Sequence, residues 1–141
     1  MRTVAVYLKE VTESQATDFL TRAYPSQSGP PWIENISGDP CLYINFAKEI
    51  LSESEPEESL KVIEALGGSP QVVLTADVSG RHLGRAEVRK FVISLLERFT
   101  GVAEDDYSTH LWSLTEIASN KQINGLFFFD PGGKQDLEKD A

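Results

Sequence analysis

The chain has 141 residues, of which 40% are apolar, and its single cysteine allows no intrachain disulfide. A chain of this length can bury a core of its own as one domain. Its formal net charge is −9 at pH 7, which argues against nucleic acid as a ligand because duplex binding relies on clustered Lys and Arg. A basic protein is the partner that this charge would suit.

The first predicted elements are a strand over residues 3–9 and a helix over residues 13–23. The strand is β-branched and aromatic, and its apolar run is too short for a signal peptide or a membrane span. We therefore expect a cytoplasmic protein without membrane association. Thr12 and Gln15 have the spacing of a capping box for the helix, and Pro25 ends it.

A loop rich in Pro, Gly and Ser follows, and it is expected to include a short edge strand over residues 32–36. Alternating apolar residues then predict a strand over residues 41–47, in which Cys41 is a small buried residue rather than a catalytic thiol. Trp32 and Tyr43 are candidate partner contacts, because Trp and Tyr are frequent in interface hot spots. The alternative for Trp32 is a place in the core beneath the loop.

The most acidic stretch is residues 49–58, in which five glutamates meet no basic residue. Ser54 and Glu57 have the spacing of a second capping box, and the helix that they begin would end at Gly67. Carboxylates at a solvated helix start are favoured by the helix dipole, which is one explanation of the run. The other is a surface for a basic partner, formed by Glu53, Glu55, Glu57 and Glu58.

A strand predicted over residues 71–78 leads through a loop with two glycines into the most amphipathic helix of the chain, over residues 84–100, with Gly101 as its stop. Because a helix N-terminus favours anions, this entrance is a candidate site for a carboxylate or phosphate. Salt bridges within the chain are the alternative. The candidate ligand-binding residues are Arg81, His82, Arg85 and Arg89.

No pattern of a catalytic or metal site accompanies this entrance. The loop lacks the ending of a phosphate-binding loop and the glycines of a dinucleotide site. Ser79 does not stand in a nucleophile elbow, and the two histidines, His82 and His110, are not at metal-ligand spacing. The sequence therefore favours a protein with no catalytic residue, no metal and no cofactor.

The last third of the chain predicts strands over residues 106–113 and 126–129. Ser113 and Glu116 have capping-box spacing for a short helix between them. The second strand holds three consecutive phenylalanines, so it must be covered on both faces or pair with a second copy, forming a homodimer through an apolar edge strand. Residues 131–141 have no apolar periodicity and are expected to be a mobile acidic tail.

Together these elements predict a single α+β domain over residues 1–130. We expect a mixed, mostly antiparallel sheet with helices packed on one face, and split βαβ units that are ferredoxin-like. The strands over residues 3–9 and 71–78 are expected to be its central pair, because both lead into helices that must pack back on the sheet. In size, acidity and lack of catalytic motifs, the chain resembles small immunity and antitoxin proteins, which neutralise a basic protein. It is therefore interpreted as a non-catalytic protein-interaction domain with an acidic surface. The alternative is a small-anion-binding or enzyme-like domain that uses the strand, loop and helix at 77–89.

Overall fold

Five β-strands form one antiparallel sheet in the computed structural model, which describes residues 2–47 and 56–130. The strands within these ranges are β1 (Arg2–Lys9), β2 (Trp32–Ile36), β3 (Asp39–Phe46), β4 (Val72–Val78) and β5 (Thr100–Glu104). The helices are α1 (Glu13–Ala23), α2 (Pro56–Leu66), α3 (Arg85–Arg98) and α4 (Leu114–Ala118). The predicted α+β class is confirmed.

The strand order is β2-β3-β4-β1-β5, and each neighbouring pair is antiparallel. β1 and β4 are therefore the central pair, as predicted. β1 and β3 run parallel on either side of β4, while β4 and β5 run parallel on either side of β1. These are two split βαβ units, connected through α1 and α3, in the ferredoxin-like arrangement. β2 is an additional edge strand, and α2 is inserted between β3 and β4.

Local signals set the start of two helices, as the sequence predicts. The side chain of Thr12 accepts a hydrogen bond from the Gln15 N–H, and the Gln15 side chain accepts one from the Thr12 N–H. Ser113 and Glu116 form the same reciprocal pair at the start of α4. Ser54, the predicted capping residue of α2, lies outside the described residues.

The two faces of the sheet are covered by different helices. Alternate residues of β1, among them Val4 and Leu8, pack with α1, α3 and α4 in the main core. α2 lies on the opposite face, where Val62 and Leu66 belong to a smaller cluster. α1, α3 and α4 therefore pack on one face of the sheet, as predicted, whereas α2 packs on the other. Leu60, which follows the same apolar pattern in the sequence, is 55% exposed.

The strand predicted over residues 106–113 is wrong, because the chain forms β5 earlier. The helix that was expected to reach residue 100 ends at Arg98, and Gly101 lies within β5 rather than serving as a helix stop. A Cβ on Gly101 would come within 2.5 Å of the Tyr7 carbonyl oxygen, so the close approach of β1 and β5 requires glycine. Of the predicted strand, Trp112 makes an isolated bridge to Ala103.

The strand predicted over residues 126–129 is also wrong. Only an isolated bridge between Ile123 and Leu126 is found there. Phe128 and Phe129 are buried in the main core, so the protein itself covers these rings and the apolar edge strand predicted for a homodimer is not present. The predicted tail at 131–141 lies outside the described residues. Within residues 2–47 and 56–130, no helix has the length and apolar character needed to cross a membrane.

Candidate functional site

The loop between β4 and α3, residues 79–84, is tied to the start of β1. The Arg2 guanidinium donates hydrogen bonds to the carbonyl oxygens of Ser79, His82 and Leu83. The same guanidinium lies 5.8 Å from the centre of the Phe129 ring. The chain therefore uses one arginine to connect this loop with the C-terminal part of the described fold.

Asp39, at the start of β3, holds two of the four predicted ligand-binding side chains. Its Oδ1 is 2.7 Å from an Arg81 guanidinium nitrogen, and its Oδ2 is 2.7 Å from His82 Nε2. Arg81 is 68% exposed, so the ion pair contributes little to stability. It matters for function, because a carboxylate of the chain itself already binds the donors that an external anion would need.

The other two predicted ligand-binding residues, Arg85 and Arg89, form no ion pair with Asp39 and differ in their surroundings. Arg89 donates to the carbonyl oxygens of Ile117 and Ala118, both at 3.2 Å, and so caps the end of α4. Arg85 is exposed, and its side chain makes no recorded hydrogen bond or ion pair within the part of the chain that the structure describes. The four predicted residues do not converge on one site.

The predicted partner contacts are also divided. Trp32 is fully buried, its Nε1 donates to Thr21 Oγ1 at 3.3 Å, and its ring meets Phe46 edge-on. Trp32 therefore belongs to the core, and its assignment as a surface contact is corrected. Tyr43 is half-buried, and it lies opposite Asp77 in the β3–β4 pair.

The acidic run is described only from α2 onward. Glu57 and Glu58 are exposed in the first turn of α2, where the helix dipole favours carboxylates. Glu53 and Glu55 lie outside the described residues. The described part of the predicted acidic surface therefore consists of two adjacent glutamates on the helix that covers the second face of the sheet.

That second face carries a polar region which α2 leaves open, hereafter the open sheet face, formed by Thr3, Tyr43, Asn45, Thr75 and Asp77. Side chains alternate along a strand, so the residues between the core positions of β1, β3 and β4 share this face. A cavity of about 290 Å³ lies at its border, between β1, β5 and the turn that follows β5. Its lining includes Thr3, Ala5, Tyr7, Glu104, Asp106 and Ser108.

Carboxylates accept the hydrogen bonds of this region. The Thr3 N–H donates to Asp106 Oδ2 at 2.7 Å, and the Thr3 hydroxyl donates to Asp77 Oδ1 at 2.8 Å. The Tyr7 hydroxyl lies 3.2 Å from Glu104 Oε1, to which it donates. Each bond uses one oxygen of its carboxylate, and an ionised carboxylate offers about four acceptor positions. The cavity is therefore rich in acceptors.

The charge at the start of α2 affects the pKa values of Tyr7 and Glu104 in this cavity. Burial raises the pKa of Glu104; the Tyr7 hydrogen bond and Lys61 lower it, while the charges of Glu58 and Asp105 raise it further. Burial raises the pKa of Tyr7 as well, and the charges of Glu104 and Glu58 add to the effect. The charge of Glu58 thus acts on both partners of the Tyr7–Glu104 bond, which connects the acidic start of α2 to the cavity.

Asp105 has a structural part in the same turn. Its Oδ1 accepts from the N–H groups of Tyr107 and Ser108 at 3.1 and 3.2 Å, and its Oδ2 accepts from the Phe129 N–H at 2.6 Å. Burial raises the pKa of Asp105, whereas the three N–H donors lower it. The turn that borders the cavity is therefore fixed from within the protein.

Sequence reasoning missed the cavity because it missed β5. Glu104 was expected to follow a helix, so its place beside Tyr7 could not be anticipated. One signal was available: Thr3 and Tyr7 interrupt the apolar pattern of β1 at alternate positions, which indicates a polar side of that strand.

Two further findings bear on function. In residues 2–47 and 56–130, no group of three or more His, Cys, Asp or Glu side chains is placed to hold a metal ion. No protein-family model matches the chain, and no curated protein or solved structure is significantly similar to it.

Proposed function

We propose that the protein is a non-catalytic interaction domain that binds a basic protein. Its acidic surface comprises the open sheet face with its cavity and the adjoining start of α2. The observation that carries this proposal is the packing of α2 beside the cavity: the buried side chains of α2 belong to the cluster that contains Ala5 and Tyr7, and both of these residues also line the cavity. In addition to burial, the charge of Glu58, at the start of α2, raises the pKa of Tyr7 and of Glu104. A cytoplasmic inhibitor of a basic protein, of the immunity or antitoxin type, is the role that this surface would suit.

The charge of the surface favours a cationic partner for two reasons. Glu57 and Glu58 are exposed, so they would attract a basic protein from solution and increase its association rate. Glu104 is half-buried, and its ionised form is less well solvated there than in water, so a cation brought to it would compensate part of that loss. Nucleic acid would be repelled by the same charges.

Anion binding at the α3 entrance remains the weaker alternative. It would require an external carboxylate or phosphate to displace Asp39 from Arg81 and His82. Arg85 alone would then be available at the start of the helix, without the convergent donors of a selective site.

The test begins with capture of basic proteins by the immobilised full chain and continues with rate measurements on the purified partner. The double variant Glu57→Gln with Glu58→Gln should lower the association rate at low salt by roughly tenfold and weaken its salt dependence. The matched control is Asp18→Asn with Glu97→Gln, which removes two exposed carboxylates from α1 and α3 on the other side of the sheet.

Equal rates for the acidic-surface variant and the control would remove α2 from the interface. A captured partner that is acidic, or tight binding to duplex DNA at physiological salt, would contradict the proposed function itself.

A further inference from the structure

We infer that the cavity between β1 and β5 receives an arginine side chain of the basic partner. This inference rests on the proposed function and specifies the part of the surface that would give the complex its specificity. Three properties of the cavity support it: its position on an uncovered sheet face, its set of hydrogen-bonding groups, and the state of its carboxylates.

The position of the cavity leaves it accessible to a partner. α2 covers the sheet where Val62 and Leu66 meet Ala5 and Val102. The cavity adjoins this cluster, with which it shares Ala5 and Tyr7, and extends to the end of the face near Thr3 and Asp106, which are both partly exposed. An extended partner segment could therefore place one side chain into it.

The hydrogen-bonding groups of the cavity select a donor-rich ligand. The Thr3 and Tyr7 hydroxyls already donate to Asp77 and Glu104, and the Ser108 hydroxyl accepts from the His110 N–H. Most of the remaining capacity consists of acceptor positions on carboxylates. Arginine offers five N–H donors and no acceptor, and its planar fork matches carboxylates better than the point charge of lysine does. The charge and the hydrogen-bonding pattern thus specify the same side chain.

Burial of the Glu104 carboxylate disfavours its charged form and so lowers the stability of the fold. A role in binding would explain why a carboxylate is present at this position. The carboxylate accepts from the Tyr7 hydroxyl, the charges of Glu58 and Asp105 raise its pKa, and the charge of Lys61 lowers it. Lys61 donates its own hydrogen bond to the Thr109 carbonyl oxygen. A neutral side chain at this position would avoid the desolvation of a charge, whereas a charged one is what a guanidinium would recognise.

Isosteric neutral variants can separate binding from folding. The glutamine oxygen of Glu104→Gln can still accept from Tyr7, and the asparagine oxygen of Asp106→Asn can still accept from the Thr3 N–H. Both variants should therefore keep the fold, with a urea midpoint for Glu104→Gln equal to or above that of the wild type. Glu97→Gln, an exposed change on α3, is the control for charge alone.

The probes are Gly-Arg-Gly, Gly-Lys-Gly and Gly-citrulline-Gly peptides, together with hexa-arginine, titrated into the full chain and followed by amide NMR shifts at low salt. Gly-Arg-Gly should shift the amides of Thr3, Tyr7 and Ser108, and its affinity should fall about tenfold in Glu104→Gln and in Asp106→Asn but not in Glu97→Gln. The citrulline peptide, which has the shape of arginine without its charge, should not bind.

The outcomes distinguish this inference from the proposed function. Hexa-arginine binding that shifts only α2 amides and is unchanged in Glu104→Gln would overturn the cavity assignment and leave the acidic interaction surface standing. Equal affinity for the lysine peptide would overturn the assignment to arginine. If none of the basic peptides binds at low salt, both the cavity assignment and the proposed function fail.

Discussion

Substitution of Gly84 tests how closely the loop at the α3 entrance packs against β4. This glycine precedes α3 with a left-handed backbone of φ +73°, and a Cβ built on it would lie 2.5 Å from Val78 Cγ1 and 3.6 Å from Cys41 Sγ. Gly84→Ala therefore introduces two penalties. A left-handed conformation costs an L-residue about 1–2 kcal/mol, and overpacking of a filled core typically costs about 1–3 kcal/mol. The expected loss in the free energy of unfolding is about 2–5 kcal/mol.

Gly38 provides the matched control. It has φ +81°, but nothing lies within 4 Å of a Cβ built on it, so Gly38→Ala carries only the backbone penalty of about 1–2 kcal/mol. Both Gly→Ala changes lower the conformational entropy of the unfolded chain by a similar amount, so this effect cancels when the two variants are compared. Urea titrations of the two variants should therefore differ by about 1–3 kcal/mol, which is the steric contribution of Val78. Equal losses would refute the close packing of this loop on β4 and Cys41.

Two further predictions address the core and the acid stability of the fold. Phe91→Ala should lower the free energy of unfolding by about 3–5 kcal/mol, because the ring is 2% exposed in the main core; a loss below about 1 kcal/mol in urea would place the ring at the surface. Burial tends to raise the pKa of Glu116, but hydrogen bonds from Ser113 and His110 outweigh it and lower the pKa. Its contribution is therefore present above the unfolded pKa, about 4.3, and is lost as pH falls through the lower folded pKa. Urea midpoints measured from pH 6 down to pH 3 should show a shallower acid loss for Glu116→Gln, while an acid loss equal to that of the wild type would exclude this carboxylate as its source.

The elements that the sequence predicts correctly are those set by neighbouring residues. Thr12 and Gln15 are three residues apart, and their capping box forms as the spacing requires. Along β4 the buried residues alternate with half-buried ones, and β1 is rich in β-branched and aromatic residues, so both strands could be identified from local pattern. Because both strands feed helices that must pack back on the sheet, their central position also followed from the order of elements.

The errors arise where a distant residue decides the local structure. Gly101 follows a long amphipathic run and resembles a helix stop, yet its conformation is determined by the Tyr7 carbonyl oxygen across the sheet. Phe128 and Phe129 resemble a strand with two apolar faces, but Asp105 accepts the Phe129 N–H and holds this segment against the core. Neither contact can be predicted from the sequence close to the residues whose conformation it determines.

The way in which charged groups are paired within the protein supports the proposal of a basic partner. Around the α3 entrance the basic groups other than Arg85 are used internally: Arg2 binds loop carbonyls, Arg81 binds Asp39, and Arg89 caps α4. Within residues 2–47 and 56–130, the hydrogen bonds that the carboxylates of Glu104 and Asp106 accept come from neutral donors, and both side chains line a cavity. A surface that binds its own cations and leaves its carboxylates to neutral donors is suited to a cationic partner. The net charge of −9 increases the attraction of such a partner at long range, whereas the cavity would determine which of its side chains is bound.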